Sequence, residues 1–256
     1  MREPAIIPRV IPCLLVEDEV MVKTVRYANP TYLGDPINVI NLFNRFEVDE
    51  ICLLDIGATR EGAEPPYELI GQLAAECWVP LAYGGGLRTL DQVTRVLSSG
   101  IEKVVLGTIV ADDASLVTRA AEVYGSQAII VSVDAVPAGV GHEVAVTSAT
   151  RRLGVDPVTY GVRAQELGAG EILLNAVDRD GTMLGYDVEL IRSVASAVRV
   201  PVIACGGAGE RTHLADAIRR GGAAAVAAGS IFVYRGRERG VLINFPEREL
   251  LEAMLG

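Results

Sequence analysis

Eight short apolar runs divide the 256-residue chain, and each is followed by a longer segment of mixed polar and apolar residues. They cover residues 10–16, 50–56, 79–83, 103–107, 128–135, 171–177, 201–205 and 224–229. Nearly continuous apolar runs are typical of parallel strands that are covered on both faces. In the segment 89–100, Leu90, Val93 and Val96 recur at helical spacing. Eight strand–helix units without a linker rich in Pro, Gly or Ser predict one domain over residues 1–256, a closed (βα)8 TIM barrel of the α/β class, with an open doubly wound sheet as the alternative.

The second half of the chain repeats three segments of the first half. The pairs are DEICLLDI (49–56) with GEILLNAV (170–177), VPLAYGGG (79–86) with VPVIACGG (200–207), and GIEKVVLGT (100–108) with GAAAVAAGS (222–230). The first two pairs lie 121 residues apart and the third lies 122 apart. Three ordered repeats at nearly one shift indicate an internal duplication, so the predicted barrel consists of two (βα)4 halves.

The charge balance excludes some classes of partner. The chain has 33 Asp and Glu against 23 Lys and Arg, a net charge of −10. Such a protein is repelled by nucleic acid and by anionic membrane surfaces, so we expect neither as a partner. No stretch approaches 18 uninterrupted apolar residues and no signal-peptide pattern opens the chain, which predicts a cytoplasmic protein.

The cysteines and histidines offer little for metal or redox chemistry. Cys13, Cys52 and Cys205 lie within apolar runs, where cysteine behaves as a small buried hydrophobic residue, and there is no CxxC motif. We expect structural thiols in a reducing compartment rather than disulfides or zinc ligands. The histidines are His142 and His213 alone. No metal and no cofactor is predicted.

Each half of the predicted barrel has glycines where its strands end, which is the end that carries the active sites of such barrels. Glycine lets backbone N–H groups approach an anion, and a following hydroxyl or helix N-terminus completes a phosphate site. Two such sites at one mouth suit a ligand with a phosphate at each end; ordinary turn glycines are the alternative. The predicted sites comprise Gly85, Gly86, Gly107 and Thr108 in the first half and Gly206, Gly207, Gly229 and Ser230 in the second.

Acidic residues at strand ends are the candidates for acid–base chemistry. Asp55 lies at the end of the second run and Asp134 at the end of the fifth, and burial at a barrel mouth raises the pKa of a carboxylate toward a useful value. Capping of the next helix is the alternative, more so for Asp55. The loop after the sixth run, DRDGTMLGYD, adds Asp180 and Gly181, where an Asx turn is a commoner outcome than a metal site.

A second charged group lies at the opposite ends of the strands. Arg9, Glu50, Lys103 and Glu171 stand at the starts of the first, second, fourth and sixth runs. Such residues commonly solvate the bottom rim of a barrel. If two acids and two bases instead converge on the barrel axis, they form a closed ring of ion pairs, which is unfavourable to bury unless it serves a purpose.

Longer motifs follow one another along the chain: RVIPCL, DEICLLDI, the GGG-L-R turn, EKVV, GSQAIIVSVDA, ELGAGEILL, DRDGT with GYD, and PVIACGGAG. Together, from about residue 6 to 235, they resemble the HisF family, the cyclase subunits of imidazole glycerol phosphate synthase. The resemblance implies a (βα)8 barrel that forms a heterodimer with the glutaminase HisH. Ammonia from glutamine is then expected to enter the barrel bottom, pass a gate of four charged residues and reach a phosphorylated ribulosyl substrate at the top.

The resemblance also assigns roles to individual residues. It makes the four charged residues at the strand starts the ammonia gate and the glycine-rich segments the two phosphate sites, although the family commonly has Asn where Gly107 stands. Asp134 matches one of two catalytic aspartates. The further residues expected to bind substrate are Lys23, Asp55, Asn175, Asp180 and Gly181.

One position departs from the family pattern. The family motif is IPCLDV and this chain reads IPCLLV, so Leu15 stands where the other catalytic aspartate is expected. An alkyl side chain transfers no proton, and loss of one acid–base partner lowers a rate by about 10²- to 10⁴-fold. The segment VKTVRYANPTYLGDPINVINLFN and the ending RGVLINFPERE instead resemble the WbuZ branch of HisF-like proteins, associated with amidation of surface-polysaccharide sugars.

Three functions follow as hypotheses. The first is a WbuZ-type subunit that receives ammonia from a HisH-like glutaminase and supplies a separate amidotransferase that makes acetamidino sugars. The second is a HisF cyclase of histidine biosynthesis in which Asp134 or Asp55 compensates for Leu15. The third is a non-catalytic activator of the glutaminase, or a phosphosugar isomerase of the sister HisA type, which also needs an Asp on the first strand.

Overall fold

Eight parallel strands close into a barrel in the computed structural model, which describes residues 7–236 and 239–256. The strands are β1 (Arg9–Glu17), β2 (Ile51–Asp55), β3 (Leu81–Gly84), β4 (Lys103–Leu106), β5 (Ile129–Pro137), β6 (Glu171–Ala176), β7 (Val202–Cys205) and β8 (Ala225–Ala228). Each pairs with the next in chain order, and β8 pairs with β1, where Arg9 lies opposite Ala225. The predicted (βα)8 barrel is confirmed.

The strands agree with the predicted apolar runs to within two residues at each end. The strand β5 ends two residues later than predicted, at Pro137, because its last residues pair antiparallel with the strand His142–Val146. The strand β1 extends to Glu17 for the same reason, since its end pairs with the strand Val20–Val25.

Residues of the strands alternate between the barrel interior and the surrounding helices. The interior layer consists of small and branched side chains: Ile11, Cys13, Cys52, Ala82, Val105, Ile130, Leu173, Ile203, Cys205, Ala225 and Ala227. The outward-facing residues form the larger core beneath the helices. The three interior cysteines are free and buried, as predicted.

Helices follow the strands and cover the outside of the barrel. They are α1 (Pro36–Arg45), α2 (Ala58–Glu61), α3 (Tyr67–Glu76), α4 (Leu90–Ser98), α5 (Thr108–Asp112), α6 (Ser115–Tyr124), α7 (Pro157–Glu166), α8 (Val188–Ala197), α9 (Arg211–Arg219), α10 (Ser230–Val233) and α11 (Arg248–Leu255). The predicted helix in 89–100 is α4, which begins with a capping box between Thr89 and Gln92. Among the described helices, none has the length and apolar character needed to cross a membrane.

Within the described residues, three strand pairs lie outside the barrel, and none of them was predicted. The first, here called the mouth hairpin, joins Val20–Val25 to Ala28–Gly34 and continues from the end of β1. The second joins His142–Val146 to Arg151–Arg152 and continues from β5. The third joins Tyr234–Arg235 to Gly240–Val241. The first two extend the top of the barrel, because they grow from the C-terminal ends of their strands.

Candidate functional site

A cavity of about 370 Å³ opens at the C-terminal ends of the strands. The barrel fold places the strand–helix loops at this end, so residues far apart in the chain meet there. The predicted residues that line the cavity are Asp134, Lys23, Asp55, Asn175, Asp180 and Gly181, with Gly85, Gly86, Gly107 and Thr108 from the first half and Gly206, Gly207, Gly229 and Ser230 from the second. The structure thus brings every residue predicted for catalysis or ligand binding to one place.

The paired glycines after β3 and β7 adopt backbone conformations that favour glycine. The φ angles are +127° at Gly85 and +86° at Gly206. A Cβ on Gly85 would lie 2.5 Å from the carbonyl oxygen of Asp55, and one on Gly206 would lie 2.4 Å from Oδ1 of Asn175. The turns themselves therefore require glycine, as the alternative interpretation held. Both pairs also face the cavity, where the missing side chains leave room for an anion near the backbone.

The hydroxyl groups in the two glycine-rich segments differ in their hydrogen bonding. Oγ1 of Thr108 accepts a hydrogen bond from the N–H of Thr147 at 2.9 Å. Ser230 begins α10 and is 4% exposed, and its Oγ has no partner in the described part of the chain. Because buried polar groups are normally paired, Ser230 is a hydrogen-bonding group available to a ligand.

Asp134 is the carboxylate best suited to proton transfer at this site. Burial raises its pKa to about 6, and the charge of Asp180 also raises it, while the nearby hydroxyl groups of Tyr27 and Ser132 oppose the rise. Oγ of Ser132 donates to Oδ1 of Asp134 at 3.1 Å. A carboxyl group with a pKa near 6 both gains and loses a proton readily near neutral pH, as a general acid or base must.

Leu15 presents an apolar side chain to the same cavity. Its backbone pairs with Leu54 of β2 and with Val22 of the mouth hairpin, and the residue is 8% exposed. Leu15, where the sequence analysis expects a carboxylate from the family resemblance, therefore offers no proton donor or acceptor.

Asp55 lines the cavity and also caps a helix. Its Oδ1 accepts from the N–H groups of Gly57 and Ala58 at 3.0 and 2.9 Å, at the start of α2. Burial raises the pKa of Asp55, and these two backbone hydrogen bonds oppose the rise. One carboxylate oxygen of Asp55 therefore accepts hydrogen bonds at the start of α2, as the capping alternative predicts.

Lys23 and Asp180 form a buried ion pair at the edge of the cavity. Nζ of Lys23 lies 3.3 Å from Oδ1 and 3.4 Å from Oδ2 of Asp180. Burial raises the pKa of Asp180, and the charge of Lys23 lowers it. The pair joins the mouth hairpin to the loop after β6.

At the other end of the barrel, four charged residues form a closed ring of ion pairs. Nζ of Lys103 lies 2.9 Å from Oε2 of Glu50 and 3.3 Å from Oε1 of Glu171. Arg9 donates to both glutamates, to Glu171 at 2.8 Å. The glutamate side chains are only 3% and 13% exposed. These residues therefore converge on the axis and do not simply solvate the rim.

The chain has relatives along almost its whole length. A family model described as "Histidine biosynthesis protein" matches residues 9–238. A Pseudomonas aeruginosa protein named "Putative imidazole glycerol phosphate synthase subunit hisF2" is 47% identical over 245 residues, 95% of this chain and 98% of that protein. "Putative imidazole glycerol phosphate synthase subunit hisF3" of Vibrio vulnificus is 41% identical over 240 residues, 93% and 92% of the two chains. "Imidazole glycerol phosphate synthase subunit HisF" of Metallosphaera sedula is 43% identical over 224 residues, 88% and 89%.

This chain belongs to the HisF family of histidine biosynthesis proteins.

In this HisF protein, the cavity lining also includes side chains that sequence analysis did not single out, among them Tyr27, Arg60, Arg88 and Ser132. Nη2 of Arg88 donates to the carbonyl oxygen of Ala63 at 2.7 Å, and Arg60 pairs with Glu17. The two arginines add positive charge beside the glycines of the first half. A signal existed for Arg88, which belongs to the GGG-L-R turn, whereas Tyr27 lies in a segment that was quoted only for its resemblance to the WbuZ branch, which gave this residue no role.

The described residues of this HisF protein contain no group of three His, Cys, Asp or Glu side chains placed to hold a metal ion. In the loop after β6, where a metal site was weighed against a turn, Asp180 is bound to Lys23 and its backbone N–H donates to the carbonyl oxygen of Ala176 at 3.0 Å. The loop is therefore an ion-paired turn.

Proposed function

We propose that this chain is the ammonia-using synthase subunit of a cytoplasmic glutamine amidotransferase complex, in which it pairs with a HisH-like glutaminase. One observation carries the proposal: the ring of Arg9, Glu50, Lys103 and Glu171 lies at one end of a barrel whose other end holds the cavity. Ammonia released by the glutaminase at the barrel bottom passes the ring and reaches the cavity through the lumen.

The interior of the barrel suits neutral ammonia as its cargo. Between ring and cavity the inward-facing side chains are aliphatic residues and the thiols of Cys13, Cys52 and Cys205. An ion entering such a layer loses its hydration at a large energetic penalty, whereas neutral ammonia loses far less. At the entrance, Oε1 of Glu50 is buried without a partner in the described residues, so it is free to accept a hydrogen bond from ammonia.

The ring itself supports a functional role. A protein in which well-packed apolar residues replace a buried set of ion pairs is often equally stable or more stable. Stability alone therefore does not explain why these four charges are present. A ring of this kind at the entrance of the lumen excludes water and ions while its ion pairs remain closed.

The glutaminase is proposed to dock on the bottom face around the ring. Trp78 and Phe46 lie there, 80% and 41% exposed, on the segments that lead into β3 and β2. Oδ1 of Asn44 accepts from the N–H of Trp78 at 3.0 Å, so the two segments are joined. Exposed aromatic side chains are common anchors of protein interfaces, and their place at the end of the barrel where the strands start, the end that also holds the ring, favours this face for the partner.

The acceptor of the ammonia is proposed to be a sugar that a separate amidotransferase converts to an acetamidino form. Leu15 supports this choice, because ring closure with paired carboxylates needs an acid–base group at that position. The numbered names hisF2 and hisF3 of two relatives also favour a diverged copy of a HisF protein. Within the cavity, Asp134 then serves binding or proton transfer without a second carboxylate.

The proposal is tested by a cyclase assay of the purified chain with the phosphorylated ribulosyl substrate and high ammonium. We expect the wild-type protein to be slower than the Leu15→Asp variant by about 10²- to 10⁴-fold, the usual contribution of one acid–base group. Leu14→Val, at the neighbouring outward-facing position, is the matched control and leaves the rate unchanged. Wild-type turnover at a rate normal for a HisF cyclase contradicts the proposal.

A second candidate function is that of a HisF cyclase of histidine biosynthesis. It predicts wild-type turnover at a normal HisF rate in the cyclase assay. The observation in its favour is that Asp134 and both glycine-rich segments face one cavity. A third outcome, in which the barrel accelerates glutamine hydrolysis by its partner but neither cyclises nor delivers ammonia, favours a non-catalytic activator.

A further inference from the structure

Two thiols face each other inside the barrel, between the ring and the cavity. Cys13 on β1 lies directly opposite Cys52 on β2 in the sheet register, and both side chains are buried in the interior layer. Residues two positions apart share one face of a strand. Glu50 of the ring therefore lies one layer below Cys52, and Leu15, which lines the cavity, lies one layer above Cys13. On the proposed function, ammonia passes these thiols on its way to the cavity.

The backbone spacing of this pair suits a disulfide. Neighbouring strands lie about 4.8 Å apart, and the Cα atoms of disulfide-bonded cysteines are about 4.4 to 6.8 Å apart. Both side chains point into a closed barrel, where the inward directions converge on the axis. The third interior cysteine, Cys205, lies on β7, which β8 separates from β1. The register thus favours Cys52 as the partner of Cys13.

Cys13 is the thiol that a small oxidant meets first. It lines the cavity, whereas Cys52 does not. Lys23 approaches the same place, because a Cβ on Gly229 would lie 2.8 Å from the carbonyl oxygen of Cys13 and 3.2 Å from Cε of Lys23. The adjacent thiols of Cys205 and Cys52 lower the pKa of Cys13, burial opposes this, and the charge of Lys23 lowers the pKa further. The thiolate is the form that reacts with peroxide.

We propose that Cys13 and Cys52 form a reversible disulfide when hydrogen peroxide enters the cavity, and that this bridge closes the lumen to ammonia. The thiolate of Cys13 attacks the peroxide and becomes a sulfenic acid, and the released hydroxide takes up the thiol proton as water. The thiol of Cys52 then displaces the hydroxyl group from that sulfur, which forms the S–S bond and a second water. Two thiols and one peroxide thus give one disulfide and two waters.

Closure of the lumen follows from how barrels of this type are packed, and this part of the proposal rests on the proposed function. Their interior is filled by side chains and is not an open pore. Ammonia passes only where side chains rotate aside, and a disulfide fixes the rotamers of both cysteines. In a reducing compartment the thiols stay free, and cytosolic disulfides are commonly transient and redox-sensing. The bridge therefore stops delivery of glutamine nitrogen while oxidant is present.

The bridge is tested by peptide mapping of the isolated chain after treatment with hydrogen peroxide. The four cysteines fall in different tryptic peptides, 10–23, 46–60, 61–88 and 200–211, so mass spectrometry identifies the linked pair. We expect peptides 10–23 and 46–60 to be joined, to weigh two hydrogen atoms less than their sum, and to separate in dithiothreitol. The absence of a linked pair, or a link between Cys13 and Cys205, overturns the proposal.

Closure is tested by delivery of nitrogen from glutamine. The barrel is oxidised alone and freed of peroxide, and the glutaminase and the amidotransferase are then added with amide-¹⁵N glutamine and unlabelled ammonium. At equal concentrations of folded barrel, we expect oxidation to remove most of the ¹⁵N from the amidated sugar and dithiothreitol to restore it. Cys52→Ala keeps the ¹⁵N fraction of its own untreated sample.

Cys77→Ala is the matched control, because Cys77 is only half-buried and lies outside the interior layer. This variant loses ¹⁵N on oxidation as wild type does. A bridged wild type that delivers as much ¹⁵N as the reduced protein overturns closure. If the reduced wild type delivers no ¹⁵N, the proposed function fails and closure fails with it, whereas the mapping still decides whether the bridge forms.

Discussion

The two ends of the barrel differ in how completely their charged groups are paired. At the bottom, two acids and two bases contact one another in one ring. At the mouth, Asp134 accepts a hydrogen bond from the hydroxyl group of Ser132, and Leu15 occupies the position from which a second carboxylate is expected. On the proposed function the comparison separates two tasks: the end proposed to admit ammonia has the full set of four expected charges, whereas the end proposed to bind substrate lacks one expected acid–base group.

The largest effect on stability is expected at the bottom. Glu50→Gln leaves Arg9 and Lys103 with Glu171 as the one remaining anion of the ring. Because this substitution leaves buried positive charge without its ion-pair partner, we expect a loss of about 3 kcal/mol in the free energy of unfolding, measured by urea denaturation.

Glu64→Gln is the matched control for that change. Glu64 pairs with Arg95 at 3.5 Å on the surface, where both side chains are at least half exposed. Such a pair contributes less than about 1 kcal/mol. Equal losses in the two variants would mean that the ring is an ordinary surface network, and the comparison between the two ends would fail.

A smaller effect is expected at the mouth, and it depends on pH. Burial holds the pKa of Asp134 at about 6 in the folded chain, above the value of about 4 in an unfolded one. The folded state therefore binds this proton more tightly, so the contribution to stability is present below about pH 4 and is lost as pH rises to about 6.

Asp134→Asn cannot titrate and avoids that loss. Relative to wild type, we expect the variant to gain about 2 kcal/mol in the free energy of unfolding between pH 4 and pH 7, measured by urea denaturation across that range. Asp216→Asn, at a surface position of α9 paired with Arg220, is the control and keeps a constant difference from wild type. A constant difference for Asp134→Asn as well would show that Asp134 titrates normally.

The barrel was predictable because its signals are local and repeated. Each strand is a continuous apolar run, and Thr89 with Gln92 marks the start of α4. The glycine-rich segments were predictable as well, since turns such as that at Gly206 exclude other residues. The ring was expected mainly from the resemblance to the HisF family, because charges at strand starts by themselves left solvation of the bottom rim as an alternative.

The mouth hairpin was not predictable in the same way. Its second strand, Ala28–Gly34, is largely exposed and carries no apolar run, so only pairing with Val20–Val25 makes it a strand. Tyr27, in the turn of this hairpin, contacts Asn175, which lies 148 positions away in the chain. Asp55 was ambiguous for a different reason: one carboxylate both caps α2 and lines the cavity.

The measurement that tests the central claim most directly is an isotope competition in the complete system of barrel, glutaminase and sugar amidotransferase. Glutamine carries ¹⁵N in its amide, unlabelled ammonium is in the medium, and the ¹⁵N content of the amidated sugar is read by mass spectrometry. Because an unfolded barrel also delivers no ¹⁵N-ammonia, the folded fraction of each variant is measured by urea denaturation and the variants are compared at equal concentrations of folded barrel. We predict mainly ¹⁵N product with wild type and mainly unlabelled product with Lys103→Met; the same ¹⁵N fraction in both would contradict passage of ammonia through the ring.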